Sequence, residues 1–131
     1  MKQLFVLFLI KFSLFGNNTF NLNVSIKGFE NNKGKTMIAL YDEKGKRIKA
    51  IEEKIVNQQV AAVFSGLSVG KYAIRVFHDE NSNSKFDTNF IGIPKEKWGV
   101  SNNIKPMFSG PKFRDIVFEV NADKAIEIRL N

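Results

Sequence analysis

Strict alternation of apolar and polar residues constrains the fold of this chain more than any other feature. In FNLNVSIKG, residues 20–28, every second residue from Phe20 to Ile26 is apolar. Successive side chains of a β-strand point to opposite faces, so this pattern predicts a strand that buries one face. The pattern returns in TMIALYD, VAAVF, KYAIRVFH, RDIVFEV and AIEIRL, and RIKAIEEKIV favours extended chain over a helical turn. Residues 60–64 and 71–78 are predicted to pair as a hairpin through GLSVG.

These repeated strands, each with one apolar face, define the expected architecture. A single sheet of such strands would leave its apolar side in water, so each face needs an opposing sheet. The 131 residues suffice for one core without disulfides, and no segment has the pattern of an amphipathic helix. The sequence therefore predicts an all-β Greek-key β-sandwich, prealbumin-like or Ig-like, with about seven strands and one long ordered loop.

The N-terminal stretch MKQLFVLFLIKFSLFGN is set apart by its composition. Lys2 is followed by a run of mainly Phe, Leu, Ile and Val in which Lys11 is the only charged residue. This run is shorter than the roughly 20 residues of a membrane span and has the layout of a secretory signal peptide. We therefore predict a signal peptide over residues 1–17 and a single domain over residues 18–131. A buried first strand or an uncleaved anchor is the alternative, because no A-x-A site follows and Gly16 is the best small residue.

Composition removes several classes of function. The chain has no cysteine and one histidine, so a disulfide framework, a thiolate metal site, a cysteine nucleophile and a Ser-His-Asp triad are all disfavoured. Its formal net charge is +7, but the lysines are scattered and interspersed with acidic residues. Nucleic-acid binding would favour a basic stripe with stacking aromatics, so nucleic acid is not an expected partner.

The loop HDENSNSKFDTNF, residues 78–90, has the spacing of a calcium site. If Asp79 is the first ligand, Asn81 and Asn83 take the third and fifth positions, the Lys85 carbonyl the seventh and Asp87 the ninth. Calcium takes six to eight oxygens, commonly at alternate positions of a tight loop. The alternative is an ion-free polar loop, since Asp and Asn also hydrogen-bond their own backbone in turns.

Two positions depart from the EF-hand pattern. Ser84 stands where a glycine is expected, and Phe90 stands where a bidentate Glu is expected. Water, a backbone carbonyl or Glu96 would have to complete the coordination shell. The expected affinity is therefore weak, with a dissociation constant of about 10⁻⁴–10⁻³ M.

Residues 88–112 show no clear periodicity and carry all three prolines. An irregular segment of this length is more often functional than idle, and its aromatic content predicts an ordered loop folded across one end of the sandwich. Trp98 is either a hydrophobic plug, the favoured interpretation, or a stacking platform for a sugar. His78 is expected at the rim, bonded to a backbone carbonyl or to Asp79, and Asn102 joins Glu96 as a candidate for binding a ligand or ordering the loop.

The run GKYAIRVFHDENSNSKFDTNFIGIPKEKWGVSNN, with SGPKFRDIVFEV after it, resembles a bacterial family known as domain of unknown function 2141. The resemblance covers nearly all of the predicted domain, most specifically at HDEN, at GIP with Glu96, and at Gly99 with Ser101-Asn102. It implies an exported protein of a Gram-negative bacterium, periplasmic or secreted, with no established activity. FSGLSVGKYAIRVFHD is similar to a hairpin of prealbumin-like and collagen-adhesin B-type modules, which supports the fold alone.

These observations predict an exported, non-enzymatic β-sandwich module, stabilised by Ca²⁺, that binds a ligand through its long loop. The expected partner is a glycan, a peptide or an envelope protein, and the membrane is involved only through the export signal. A purely structural envelope domain with an ion-free loop is the first alternative. A hydrolase that pairs carboxylates from Asp79, Glu80, Asp87 or Glu96 is the second.

Overall fold

The computed structural model of the chain describes residues 18–88, 94–105 and 110–131. These residues form eight strands, a 3₁₀ turn at Ser101–Asn103 and a one-turn helix α1 at Phe113–Ile116. The strands are β1 Thr19–Lys27, β2 Lys35–Asp42, β3 Arg47–Glu53, β4 Val60–Ser68, β5 Gly70–Asp79, β6 Trp98–Val100, β7 Phe118–Val120 and β8 Lys124–Arg129. The predicted signal peptide and residues 89–93 and 106–109 of the predicted long loop lie outside the described residues.

The strands divide between two sheets. The three-stranded sheet has the order β4-β1-β8, in which β1 pairs antiparallel with β4 and parallel with β8. The five-stranded sheet has the order β3-β2-β5, and β6 and β7 share the other edge of β5. The predicted all-β sandwich is confirmed, while the likeness to prealbumin-like or Ig-like modules stays a prediction. No helix within the described ranges is long and apolar enough to span a membrane.

The core lies between the sheets and follows the alternation of the sequence. Leu22, Val24 and Ile26 of β1 are at most 1% exposed. They share one cluster with the inward side chains of β2 and β5, among them Leu40 and Ile74. Burying one such side chain stabilises the fold by about 1.5–3 kcal/mol, so the alternating positions account for the pairing of the two layers.

The predicted hairpin between residues 60–64 and 71–78 is wrong. β4 runs on to Ser68 and pairs with β1, whereas β5 pairs with β2 in the other sheet. Only Val69 separates β4 from β5, so the chain crosses between the sheets there instead of turning back. Alternation reveals which face of a strand is buried, but both sheets bury their faces in the same core, so it does not reveal the sheet.

The described parts of the long segment are ordered, but they do not simply fold across one end of the sandwich. Trp98–Val100 adds strand β6 at an edge of the five-stranded sheet, and Pro94 and Pro111 lie beside the outer face of that sheet. Two aromatic residues that flank the segment pack on the same face: Phe86 against Phe77 with ring centroids 5.3 Å apart, and Phe113 against Tyr41 at 6.4 Å. The reason is the composition of β2, whose outward residues include Met37 and Tyr41 and would otherwise leave an apolar surface in water.

Candidate functional site

The polar loop begins where β5 ends, at a carboxylate that the fold buries. Asp79 is 0% exposed, and its two oxygens accept the backbone N–H groups of Asn83 at 3.2 Å and Ser84 at 2.8 Å. A buried carboxylate is tolerated when such hydrogen bonds replace its hydration. Asp79 therefore fixes the coil of the loop, and Ser84 adopts a φ of +62° at the position where glycine was expected.

The other predicted ligands meet at Asp87. Its carboxylate accepts the side-chain N–H groups of Asn81 at 2.9 Å and Asn83 at 3.0 Å. The hydrogen bond from Asn83 has the largest effect on the pKa of Asp87, and that from Asn81 the next largest. Both lower this pKa below the usual range of a carboxyl group. The exposed Lys85 donates its backbone N–H to the Asn83 side-chain oxygen at 2.9 Å. The structure thus brings the predicted ligands into one hydrogen-bonded loop.

Glu96 joins the two ends of this loop. It is 8% exposed, and its oxygens accept the backbone N–H of Asp87 at 2.8 Å and that of Glu80 at 3.1 Å. Burial raises the pKa of Glu96 above its ordinary value, against the lowering effect of the Asp87 N–H. This arrangement explains Glu96 as an acceptor that organises the loop.

The loop fits calcium in its set of donor atoms but only in part in its geometry. Carboxylate and amide oxygens are the ligands that calcium prefers. The amide N–H groups of Asn81 and Asn83, not their oxygens, face Asp87. A cation would require those amides to rotate. Over the described ranges, no group of three or more His, Cys, Asp or Glu side chains is placed to hold a metal.

His78 is buried in the core and lies away from solvent. It is 1% exposed, and its Nε2 donates to the carbonyl oxygen of Lys33 at 2.6 Å. The Phe29 ring meets it edge-on with centroids 5.2 Å apart. His78 thus ties β5 to the loop before β2, and substrate has no access to its ring.

An aromatic cleft lies on the outer face of the five-stranded sheet. Its volume is about 460 Å³. Across β2, β5 and β6 the strand register aligns Met37, Phe77 and Trp98 in one row. The next row holds Ala50, Ala39, Arg75 and Val100, and Tyr41 pairs with Arg47 in the row after that. The two alanines leave a hollow between larger side chains, and this hollow forms the cleft.

Arg75 stands near the middle of this cleft and is held by aromatic rings. Its guanidinium carbon lies 5.1 Å from the centroid of Tyr41 and 5.8 Å from that of Phe113. A guanidinium over an aromatic face is attracted by the ring quadrupole. The side chain is therefore oriented while it stays exposed to solvent.

Trp98 lines the cleft, whereas Asn102 lies against α1. Trp98 is half-buried, lines the cleft and packs against a small cluster that includes Val100 and Ile116. Asn102 has a φ of +63°, and its side-chain amide donates to the carbonyl oxygens of Asp115 at 3.0 Å and Val117 at 2.9 Å. Asn102 thus holds α1 against the 3₁₀ turn, whereas Trp98 forms a wall of the cleft.

Sequence reasoning missed the cleft and with it Tyr41, Arg47, Arg75 and Phe77. The signal was present in the second face of β2 and β5, where a polar surface was expected. In IALYD and IRVFH the outward positions hold alanine, tyrosine, arginine and phenylalanine. Their convergence depends on the register of β2, β3 and β5, which the sequence leaves open.

The fold and site define a class: an all-β sandwich that carries a buried-carboxylate loop at one strand end and an aromatic cleft on one outer face. Within this class, the chain belongs to the family described as an uncharacterized protein conserved in bacteria, domain of unknown function 2141, which matches residues 24–129. The resemblance to this family that was inferred from the sequence is therefore confirmed.

The chain is similar over much of its length to a solved structure. That structure is a fimbrial assembly protein from Parabacteroides distasonis ATCC 8503, 13% identical, with a TM-score of 0.41. The match covers 86% of this chain and 53% of that protein, so the chain spans about half its length. No curated protein matches the sequence.

Proposed function

We propose that this protein is an exported, non-enzymatic binding module whose aromatic cleft takes a glycan. The observation that carries this proposal is the cleft itself, a hollow of about 460 Å³ between Trp98, Phe77 and Tyr41. Ligand sites are commonly concave, about 300–1,000 Å³ in volume and lined by aromatic groups. The N-terminal signal-peptide pattern supports export to the periplasm or the medium, where glycans are abundant.

The shape of the cleft suits a sugar ring better than an extended peptide. Its floor is formed by Ala39 and Ala50, and aromatic rings stand on two sides. Aromatic side chains offer a large apolar area at a low entropic cost, and a pyranose presents an apolar face to such rings. A peptide that adds a strand would pair along the free edge of β3 and would not lie over the alanines.

Filling the cleft should abolish glycan binding without unfolding the protein. Ala50 is an exposed residue of edge strand β3, so Ala50→Tyr places a ring in the hollow at little cost to stability. Emission of Trp98, the only tryptophan in the chain, reports binding across a panel of neutral and acidic oligosaccharides. We expect at least one glycan to shift this emission in the wild type, and at least a tenfold loss of affinity in Ala50→Tyr.

Ala61→Tyr is the matched control. Ala61 is an exposed alanine on edge strand β4 of the other sheet, so this variant adds the same ring outside the cleft. It should bind as the wild type does. If no glycan changes the emission, or if Ala50→Tyr binds as well as Ala61→Tyr, the binding proposal fails and a purely structural domain is favoured.

We also propose that the polar loop binds calcium weakly, because Asp79, Asn81, Asn83 and Asp87 lie in one hydrogen-bonded cluster.

Calcium should raise the thermal stability of the protein. At 5 mM calcium and a dissociation constant of about 1 mM, the binding of the ion stabilises the fold by about 1 kcal/mol. The melting temperature should then rise by about 3–5 °C. Magnesium should give a smaller rise, and Asp87→Asn should remove the calcium effect. An unchanged melting temperature in 5 mM calcium contradicts the metal proposal.

A further inference from the structure

We infer that the cleft selects acidic carbohydrates and that Arg75 pairs with a carboxylate of the ligand. This inference rests on the proposed function, because it names the class of glycan that the same cleft takes. It goes further in assigning the specificity to one side chain and to one chemical group of the ligand.

The charged side chains that line the described part of the cleft are all positive. Among its described lining residues, the charged side chains are Arg47 and Arg75, and none is acidic. The ion pairs of the described residues involve neither arginine. Without Lys2 and Lys11 of the predicted signal peptide, 18 basic and 13 acidic residues remain, and this net charge of +5 attracts anions at long range. A neutral sugar would leave both guanidinium groups without a counter-charge, whereas an acidic sugar supplies one.

The geometry of Arg75 suits a planar anion. Tyr41 and Phe113 contact the guanidinium at 5.1 and 5.8 Å, as a cation over a ring. A guanidinium held over an aromatic ring can keep N–H groups at its edge free for hydrogen bonds. Arginine binds a carboxylate through two parallel N–H···O bonds, and an oriented side chain loses little further entropy in doing so.

The strand register sets the spacing of the two charges around the hollow. Ala39 lies between Ala50 and Arg75 across the sheet, while Arg47 lies opposite Tyr41 near the edge. A sugar ring seated over the alanines therefore has Arg75 on one side and Arg47 towards the rim. This placement fits an oligomer of uronic acid, in which a carboxylate projects from each ring.

Trigalacturonic acid and its methyl ester form the matched pair of probes. They share rings and linkages and differ in the charge of the carboxyl groups. Titration of Trp98 emission should show at least tenfold tighter binding of the acid to the wild type. In Arg75→Gln the affinity for the acid should fall at least tenfold, while that for the ester changes less than twofold.

Two further variants complete the test. Arg75→Lys keeps the charge but loses the planar fork, so its affinity for the acid should lie between those of the wild type and Arg75→Gln. Arg129→Gln removes an exposed arginine from β8 in the other sheet and should bind the acid as the wild type does. Thermal unfolding of each variant confirms that it is folded.

The outcomes separate this inference from the proposed function. If acid and ester bind equally, or if neutral glycans bind and neither probe does, the selection of acidic carbohydrates is overturned while glycan binding survives. Loss of acid and ester binding to the same degree in Arg75→Gln also overturns it. If no oligosaccharide binds at all, the proposed function fails with it.

Discussion

Gly34→Ala is expected to lower the free energy of unfolding by about 3–5 kcal/mol. Gly34 has a φ of +66°, and a Cβ atom there would lie 2.1 Å from the carbonyl oxygen of Asp79 and 2.6 Å from that of Glu80. Both neighbours are backbone atoms at the start of the polar loop, so no side-chain rotation relieves the clash. Equilibrium unfolding in urea measures the loss.

Gly66→Ala is the control that separates the steric effect from the conformational effect. Gly66 has a similar φ of +72°, but nothing lies within 4 Å of the position of its Cβ. This variant should lose only the roughly 1–2 kcal/mol of a left-handed alanine. Equal losses in the two variants would show that the chain before β2 does not pack against the loop as described.

Ser101→Ala is expected to cost about 2–4 kcal/mol, because two buried backbone groups lose their partner. Ser101 is 0% exposed. Its hydroxyl accepts the N–H of Ile74 at 3.0 Å and donates to the carbonyl oxygen of Ile116. Ile74 lies in the gap where β5 pairs with neither β7 nor β6. The hydroxyl thus replaces a missing ladder bond and joins α1 to the sheet.

Ser65→Ala is the matched control for Ser101→Ala. Ser65 is an exposed serine in the middle of β4, so its removal should change the stability by no more than about 0.5 kcal/mol. A loss below about 1 kcal/mol in Ser101→Ala would contradict the role assigned to this hydroxyl. Urea unfolding of both variants at the same pH provides the comparison.

The positions of most strands were predictable, because burial of one face makes apolar and polar residues alternate along the sequence. β1 and β2 lie where alternation places them, and the ambiguous RIKAIEE forms the extended strand β3. RDIVFEV is a strand only from Phe118 on, because its first residues belong to α1. Strand pairing was not predictable, as the missed crossing at Val69 shows. The choice between sheets depends on contacts far apart in sequence, and alternation carries no information on them.

The polar loop could be located from the sequence, but the role of each side chain could not. The spacing of Asp and Asn drew attention to the loop, yet it does not distinguish a carboxylate that accepts backbone N–H groups from one that binds an ion. In the described structure, Asp79 accepts backbone N–H groups. The cleft was harder to find, because Arg75 and Tyr41 meet only through the register of β2 and β5.

The most direct test of the account is a ¹H–¹⁵N spectrum of the protein titrated with trigalacturonic acid. The Trp98 indole N–H is a single resolved signal, since the chain has one tryptophan. We predict that this signal, the side-chain N–H of Arg75 and the amides of residues 37–41 shift together, while those of β4 stay in place. Shifts that cluster outside the five-stranded sheet, or no shifts at all, would contradict the assignment of the cleft as the binding site.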